Sequence, residues 1–386
     1  MSRTYRAAIV GCGDIGHAHA QGYLLNPGVE LVAVVDPLEL ARRQFQAEYD
    51  VPRGYSSVEE MLEVERPDLV SVCVWHLLHA SITIAAAEAG VMAVICEKPM
   101  ATGMGEVDAM IAACERSGTK LIVSHQRRFT PGWEGAKALV AAGEIGAVRM
   151  AHGRPSAGLL NVGTHIIDAM LFIVGDPAPV WVMGAVERQT DRFERDTPIE
   201  DCCMVLAQLE GGAQLLVQSE LQPRGEGPGL MVRFEGTDGV IEAAEGIVRL
   251  FNATSGGWRE VMRDDDVDTI GGQSNGRQVA ELIRWIEGGP EHRGSARLAR
   301  RTTEIMMAAY ESARRHRVIR LPLEEPGYPL GLMIDEGSLP PGVQGSYDIR
   351  AFLRRDDVDE SRYAELRAEG ISHHQIMLRL DKEKRR

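Results

Sequence analysis

The chain has 386 residues, 44% of them apolar and 25% charged, and a net charge of −14 from 42 basic and 56 acidic side chains. That length fits two domains rather than one small core. The acidic balance excludes a general nucleic-acid partner, which needs a basic face. No apolar run reaches about 18 residues, so no transmembrane helix and no membrane partner are expected. Residues 1–6 run into the first apolar stretch with no signal-peptide pattern. The cysteines (Cys12, Cys73, Cys96, Cys114, Cys202 and Cys203) sit mostly in apolar runs without zinc-type spacing. They read as reduced, buried side chains of a cytoplasmic protein, and no metal site is expected.

The first apolar run, 6–10, predicts a buried strand and leads into Gly11-Cys12-Gly13-Asp14-Ile15-Gly16. A helical stretch over 15–25 and a second apolar run over 31–35 follow, closed by Asp36, 20 residues after Gly16. This is the dinucleotide-binding pattern in its expected context. Gly11 permits the tight turn, Gly13 lets the backbone approach a pyrophosphate, and Gly16 lets helix and strand pack closely. The helix start at Asp14 and Ile15 offers N–H groups and partial positive charge to phosphates. Asp36 can accept hydrogen bonds from ribose hydroxyls and would repel a 2′-phosphate, so NAD is expected over NADP. Arg42 and Arg43 read as a solvated helix face.

Strand-like runs at 69–74, 92–96 and 120–123 alternate with helical stretches at 38–48, 57–63, 79–89 and 104–117. The βαβ alternation predicts a parallel, doubly wound sheet over residues 1–125, with chemistry beyond the carboxyl ends of its strands. Those ends carry Trp75-His76 and Glu97-Lys98-Pro99.

From 126 to 325 the pattern changes. Helices are expected at 131–142, 162–174, 276–287 and 297–316. Strands are expected at 147–152, 180–187, 202–209, 213–221, 230–235 and 247–251. This predicts an α+β domain with a large, open, mostly antiparallel sheet, whose exposed face would pack against a second subunit in a dimer or tetramer. Arg263-Asp264-Asp265-Asp266 reads as an exposed loop. Residues 326–386, rich in Gly, Pro and charge, read as an appendage with short helices at 359–368 and 372–383. It is expected to wrap the substrate domain or a neighbouring subunit, burying Ile371, Ile376, Leu378 and Leu380.

Six ordered motifs over residues 5–323 carry a resemblance. They are the glycine loop with His19, His79 with Cys96-Glu97-Lys98-Pro99, Arg127-Arg128-Phe129, Gly143-Glu144-Ile145-Gly146, Asn161-Val162-Gly163-Thr164-His165-Ile166-Ile167-Asp168, and Glu311-Ser312-Ala313-Arg314. The chain resembles the glucose–fructose oxidoreductase, inositol dehydrogenase and rhizopine-catabolism family, Gfo/Idh/MocA. The resemblance implies a Rossmann domain followed by an α/β domain. It also implies hydride transfer between nicotinamide and a carbinol carbon of a sugar, cyclic polyol or derivative. Lys98 matches the family lysine that relays a proton or stabilises alkoxide charge, and His165 matches the family general acid or base. Trp75, His76, His79, Glu97 and Lys98 are expected along the cofactor.

Two departures bear on the chemistry. Asn161 stands four residues before His165, where many relatives carry aspartate. That spacing predicts a shared helix face, a lowered proton affinity for His165, and an amide that orients a substrate hydroxyl. Asp168 can orient His165 or serve structurally. Val74-Trp75-His76 replaces the common Thr-Pro-Asn. Arg128 and Arg154 are candidates for binding a carboxylate or sugar hydroxyls. The alternatives to a dehydrogenase are an NAD-retaining enzyme that uses transient oxidation to cleave a glycoside or eliminate a group, and a nucleotide-sensing protein without turnover.

Overall fold

The computed structural model describes residues 3–221, 231–268, 271–348 and 359–369, together with 371, 375, 376, 379, 380 and 383. The first half runs β1 (Tyr5–Val10), α1 (Asp14–Leu24), β2 (Val29–Val35), α2 (Glu39–Tyr49), β3 (Arg53–Tyr55), α3 (Val58–Glu65), β4 (Leu69–Val72), α4 (His79–Glu88), β5 (Ala93–Cys96), α5 (Met104–Ser117) and β6 (Lys120–Val123). Its six strands are all parallel, in the order β3-β2-β1-β4-β5-β6. Helices cover both faces, so β4 and β5 are buried throughout and read as unbroken apolar runs. The strand order reverses between β1 and β4, and that switch point opens the crevice beyond their carboxyl ends. β3 escaped sequence reading because it is three residues long with two of them exposed.

The second half continues with α6 (Pro131–Ala141), β7 (Val148–Gly153), α7 (Thr164–Ile173), β8 (Pro179–Glu187), β9 (Thr190–Glu194), β10 (Thr197–Pro198), β11 (Cys202–Leu209) and β12 (Gln214–Ser219). After them come β13 (Val232–Gly236), β14 (Gly239–Ala244), β15 (Ile247–Asn252), β16 (Arg259–Arg263), α8 (Gly272–Ile286), α9 (Ala296–Arg315), β17 (Ile319–Arg320), α10 (Pro329–Asp335), β18 (Val343–Asp348) and α11 (Glu360–Ala368). Nine strands form one sheet in the order β16-β15-β14-β13-β7-β12-β11-β8-β17, antiparallel except where β12 meets β7. The expected fold class holds, with β9, β10, β14 and β16 added. Asp264, Asp265 and Asp266 lie exposed just past β16, as expected of a loop.

One face of the large sheet packs on α6, α7 and α9, and its apolar cluster is continuous with that of the first sheet. Where β8 crosses α9, a Cβ on Gly184 would stand 2.3 Å from the Ala309 carbonyl oxygen, so only glycine allows the contact. The opposite face stays open and carries exposed Met183 and Met204. α8 folds back over the first domain onto α1, in a second cluster with Tyr23 and Phe45.

The last segment divides in two. Arg314 ties the start of it to α9 through Glu325 at 3.2 Å and Glu336 at 2.5 Å, and β18 pairs with β9 in the second domain. Beyond the undescribed stretch, α11 lies on the first domain instead. Tyr363, Leu366, Ile376 and Leu380 bury themselves against Leu40 of α2, with Ile371 half-buried beside them. Arg367 reaches Glu48 at 3.4 Å. Leu378 and most of the expected 372–383 helix lie outside the described residues. All six cysteines are free, four of them buried and Cys73 and Cys202 partly exposed. Among the described residues no helix is long and apolar enough to cross a membrane, and no cluster of His, Cys, Asp or Glu could hold a metal ion.

Candidate active site

The glycine loop sits at the switch point. Gly11 has φ +103°, and a Cβ there would lie 2.2 Å from the Cys73 carbonyl oxygen. A Cβ on Gly16 would meet the Gly11 carbonyl oxygen at 2.1 Å. Gly13 occupies the N-cap of α1 without any side-chain cap, and Gly13, Asp14 and Ile15 stay partly exposed. The first-turn N–H groups therefore face outward, as a pyrophosphate cradle requires. Asp36 is buried and braces that cradle. Its Oδ2 accepts from Cys12 N at 2.9 Å and its Oδ1 from Leu38 N at 2.9 Å. Arg42 Nη1 donates to the Asp36 carbonyl oxygen at 2.5 Å, while exposed Arg43 pairs with Glu39. These residues fit a dinucleotide.

The Glu-Lys-Pro stretch follows β5 at the adjacent strand end. Glu97 is buried under the crevice, with Oε1 3.1 Å from His19 Nε2 and Oε2 accepting from Lys98 N at 3.1 Å. Burial would raise its carboxyl, but the bond and charge of His19 and the charge of Lys98 hold it at about 2. His79 Nδ1 lies 2.9 Å from the Pro99 carbonyl oxygen and its Nε2 lies 3.1 Å from that of Val74. Both ring nitrogens of His79 are bonded to main-chain oxygens and Glu97 holds His19 and Lys98 N, so the two residues clamp the loop that carries Lys98. Trp75 is half-buried at the rim. His76 is buried and turns to the second domain, its Nε2 2.6 Å from Thr197 Oγ1. Burial, then the charges of Arg195, His79 and Lys98, lower its pKa to about 3, so it stays neutral.

Lys98 meets the second domain at Asn161. Its Nζ donates to Asn161 Oδ1 and to the Asn161 main-chain oxygen, each at 3.2 Å. Burial pulls the Lys98 pKa down to about 8, with the carboxylates of Glu97 and Glu194 opposing and Arg195 and Arg127 assisting. Asn161 lies in a π-helical turn, Leu159–Gly163, that runs into α7. Gly158 enters it at φ +80°, and buried Glu200 holds it, accepting from Leu159 N at 2.6 Å and from the Tyr310 hydroxyl at 2.7 Å. A π turn breaks the four-residue repeat, so the spacing argument pairs Asn161 with the wrong residue. Its partner is Lys98.

His165 is buried at the start of α7, and its Nδ1 has no hydrogen-bond partner; neither has Asn161 Nδ2. Burial, then the charges of Arg127, Lys98 and His125, drive the His165 pKa well below the usual histidine range. The expectation of a low proton affinity agrees in direction, though its first cause is burial and its next is the Arg127 charge rather than a missing carboxylate. Asp168 does not orient His165. It pairs with Arg128 at 2.7 Å and stands 3.3 Å from His125 Nδ1. His125, whose ring centre lies 6.0 Å from that of His165, was missed because a histidine after a strand carries no motif of its own.

Arg128 does not face substrate. Its guanidinium, 1% exposed, bonds Asp168, Asp176 and the Arg293 carbonyl oxygen. Arg154 is exposed on the loop after β7. Arg128→Met should therefore lower unfolding free energy by about 3–5 kcal/mol, the usual cost of leaving a buried charge unpaired. Urea denaturation reads this, and an Arg128→Met protein of normal stability with a raised KM would return the residue to substrate binding.

A model described as an oxidoreductase family's NAD-binding Rossmann fold matches residues 5–125, and one described as that family's C-terminal alpha/beta domain matches 137–321. The chain belongs to the Gfo/Idh/MocA oxidoreductase family. Its first domain is the family's NAD-binding fold, and its cofactor is NAD. Among curated relatives, D-apiose dehydrogenase of Paraburkholderia graminis is 27% identical over 62% of this chain and 67% of its own. The inositol 2-dehydrogenase of Rhizobium meliloti is 25% identical over 75% of this chain and 90% of its own. Levoglucosan dehydrogenase, solved with NADH and levoglucosan, shares the fold at TM-score 0.74 and 20% identity, over 83% of this chain and 100% of that one.

Proposed function

We propose that this Gfo/Idh/MocA oxidoreductase is an NAD-dependent dehydrogenase that oxidises a carbinol carbon of a sugar, cyclic polyol or close derivative. The observation that carries the reading is the Lys98 ammonium bonded to Asn161 at the crevice, in a site that also holds neutral His165. Bound NAD supplies the hydride acceptor. The protein must take the hydroxyl proton as the hydride leaves. Lys98, with a pKa of about 8, is matched to that task near neutral pH. His165 is too weak a base to keep the proton, so it orients the hydroxyl through Nδ1, and Asn161 Nδ2 donates to a substrate oxygen. The activities named for the curated relatives, on apiose and inositol, support the substrate class.

His165→Ala should leave NAD affinity unchanged and cut turnover by about 100-fold, the scale for a misplaced reacting group. Near-wild-type turnover would remove His165 from the reaction. A panel of neutral sugars and inositols incubated with excess NAD should give NADH in step with a carbonyl product. Cofactor that stays bound while product forms without net NADH would instead favour transient oxidation.

Asp36 supports a preference for NADH over NADPH, because a 2′-phosphate would face a buried carboxylate. Titration by nicotinamide fluorescence should give at least tenfold weaker NADPH binding. Equal binding would mean that Arg42 governs the pocket. The open sheet face around Met183 and Met204 supports a homo-oligomer, a dimer or tetramer closed through that face.

A further inference from the structure

A hairpin from the second domain reaches the same crevice. Thr197 pairs with Glu194 across β9 and β10, so Arg195 and Asp196 form its two-residue turn. Both residues are left-handed, at φ +50° and +63°, although neither is glycine or asparagine. Aspartate tolerates this conformation, and the surroundings hold it at Arg195. Thr197 bonds His76 beside the β4 strand end, and the Tyr328 hydroxyl donates to the Pro198 carbonyl oxygen at 2.7 Å. Behind them β18 pairs with Thr190–Phe193 of β9. Tyr328 and β18, both past residue 326, thus prop the hairpin.

The turn carries an ion pair. Glu194 Oε1 accepts from Arg195 Nη1 at 2.8 Å. Glu194 is 1% exposed, yet its Oε2 has no hydrogen-bond partner, and Asn161 Nδ2, His165 Nδ1 and His76 Nδ1 share that condition. A buried polar atom without a partner is costly, and a ligand hydroxyl bonded to Glu194 Oε2 would remove that cost. The charges of both Glu194 and Arg195 act on Lys98.

We infer that Glu194 and Arg195 form a specificity subsite that grips hydroxyls of a neutral polyol beyond the reacting carbon. Glu194 Oε2 accepts from one hydroxyl, and the Arg195 guanidinium donates to a neighbouring oxygen. A carboxylate arriving there meets Glu194, and the guanidinium beside it is already paired. The subsite therefore selects neutral sugars and cyclic polyols over sugar acids. The inference rests on the dehydrogenase reading for the reacting carbon.

The test is direct binding, without turnover. The full chain is loaded with NADH and titrated calorimetrically with neutral pentoses, hexoses and inositols and with the matching sugar acids. Wild type should bind its best neutral ligand at least tenfold more tightly than the matching acid. Glu194→Gln should weaken that ligand at least tenfold, keep NADH affinity, and narrow the gap between neutral and acid ligands. Arg195→Met, at a partly exposed turn position, should weaken the same ligand in a second, independent variant. A wild-type preference for acids would overturn the subsite, as would variants that bind NADH and the neutral ligand normally. The expected binding pattern with no NADH formed from NAD would sink the dehydrogenase reading and leave the subsite standing.

Discussion

Lys98→Met should bind NAD as wild type does and lose at least 100-fold in kcat/KM for carbinol oxidation, the usual scale for lost acid–base help. Methionine matches the length of the lysine stem and keeps the apolar contacts of a largely buried side chain. The loss would therefore report the amine rather than the packing. In the wild type the active form is the neutral amine, which dominates above its pKa. Oxidation should rise with pH through about 8 and level off above it. Carbonyl reduction needs the ammonium, so its rate should fall across the same interval. His165 stays neutral throughout and adds no limb of its own near neutrality. A flat oxidation profile across this range would show that Lys98 does not hold the proton.

Asn161→Asp should move that profile. The substitution puts a carboxylate where an amide oxygen now stands, 3.2 Å from Lys98 Nζ. An opposite charge at that range favours the ammonium and raises a lysine pKa by about 1–3 units. The rising limb of oxidation should shift alkaline by that amount, with turnover lowered near neutral pH and restored at high pH. The sign follows from the contact with Lys98, and a shift of the limb toward acid would contradict it. An unshifted limb would mean that the Lys98–Asn161 contact does not persist during turnover.

The parallel sheet was legible because burial on both faces writes β1, β4 and β5 as apolar runs, and because the glycine loop needs small residues where Gly11 and Gly16 meet backbone. β14 and β16 were not legible. Residues 239–244 pack small side chains between close turns, and β16 is a charged edge strand with no apolar face to show. Lys98, Asn161 and His165 were named from motifs, but their mutual geometry was not in the spacing. The π turn at 159–163 gives Asn161 to Lys98, and a period of four cannot report that. Arg128 sat in a motif that looked like ligand chemistry, and only the fold reveals Asp168 and Asp176 around it. The hairpin at 190–198 lay unassigned between the strands expected at 180–187 and 202–209, since Arg195-Asp196 lacks the glycine that announces a tight turn. Its importance depends on His76, Tyr328 and β18, which meet it only in the folded chain.

The most direct test of hydride transfer uses a neutral sugar or inositol carrying deuterium at the carbinol carbon. Full-length protein, NAD and the labelled compound are mixed, and the nicotinamide product is read by mass and NMR spectroscopy. The account predicts deuterium on the nicotinamide ring of NADH, one label for each carbonyl formed, and about 100-fold less of it with Lys98→Met. Deuterium lost to solvent, or unlabelled NADH at the same rate from wild type and variant, would contradict it.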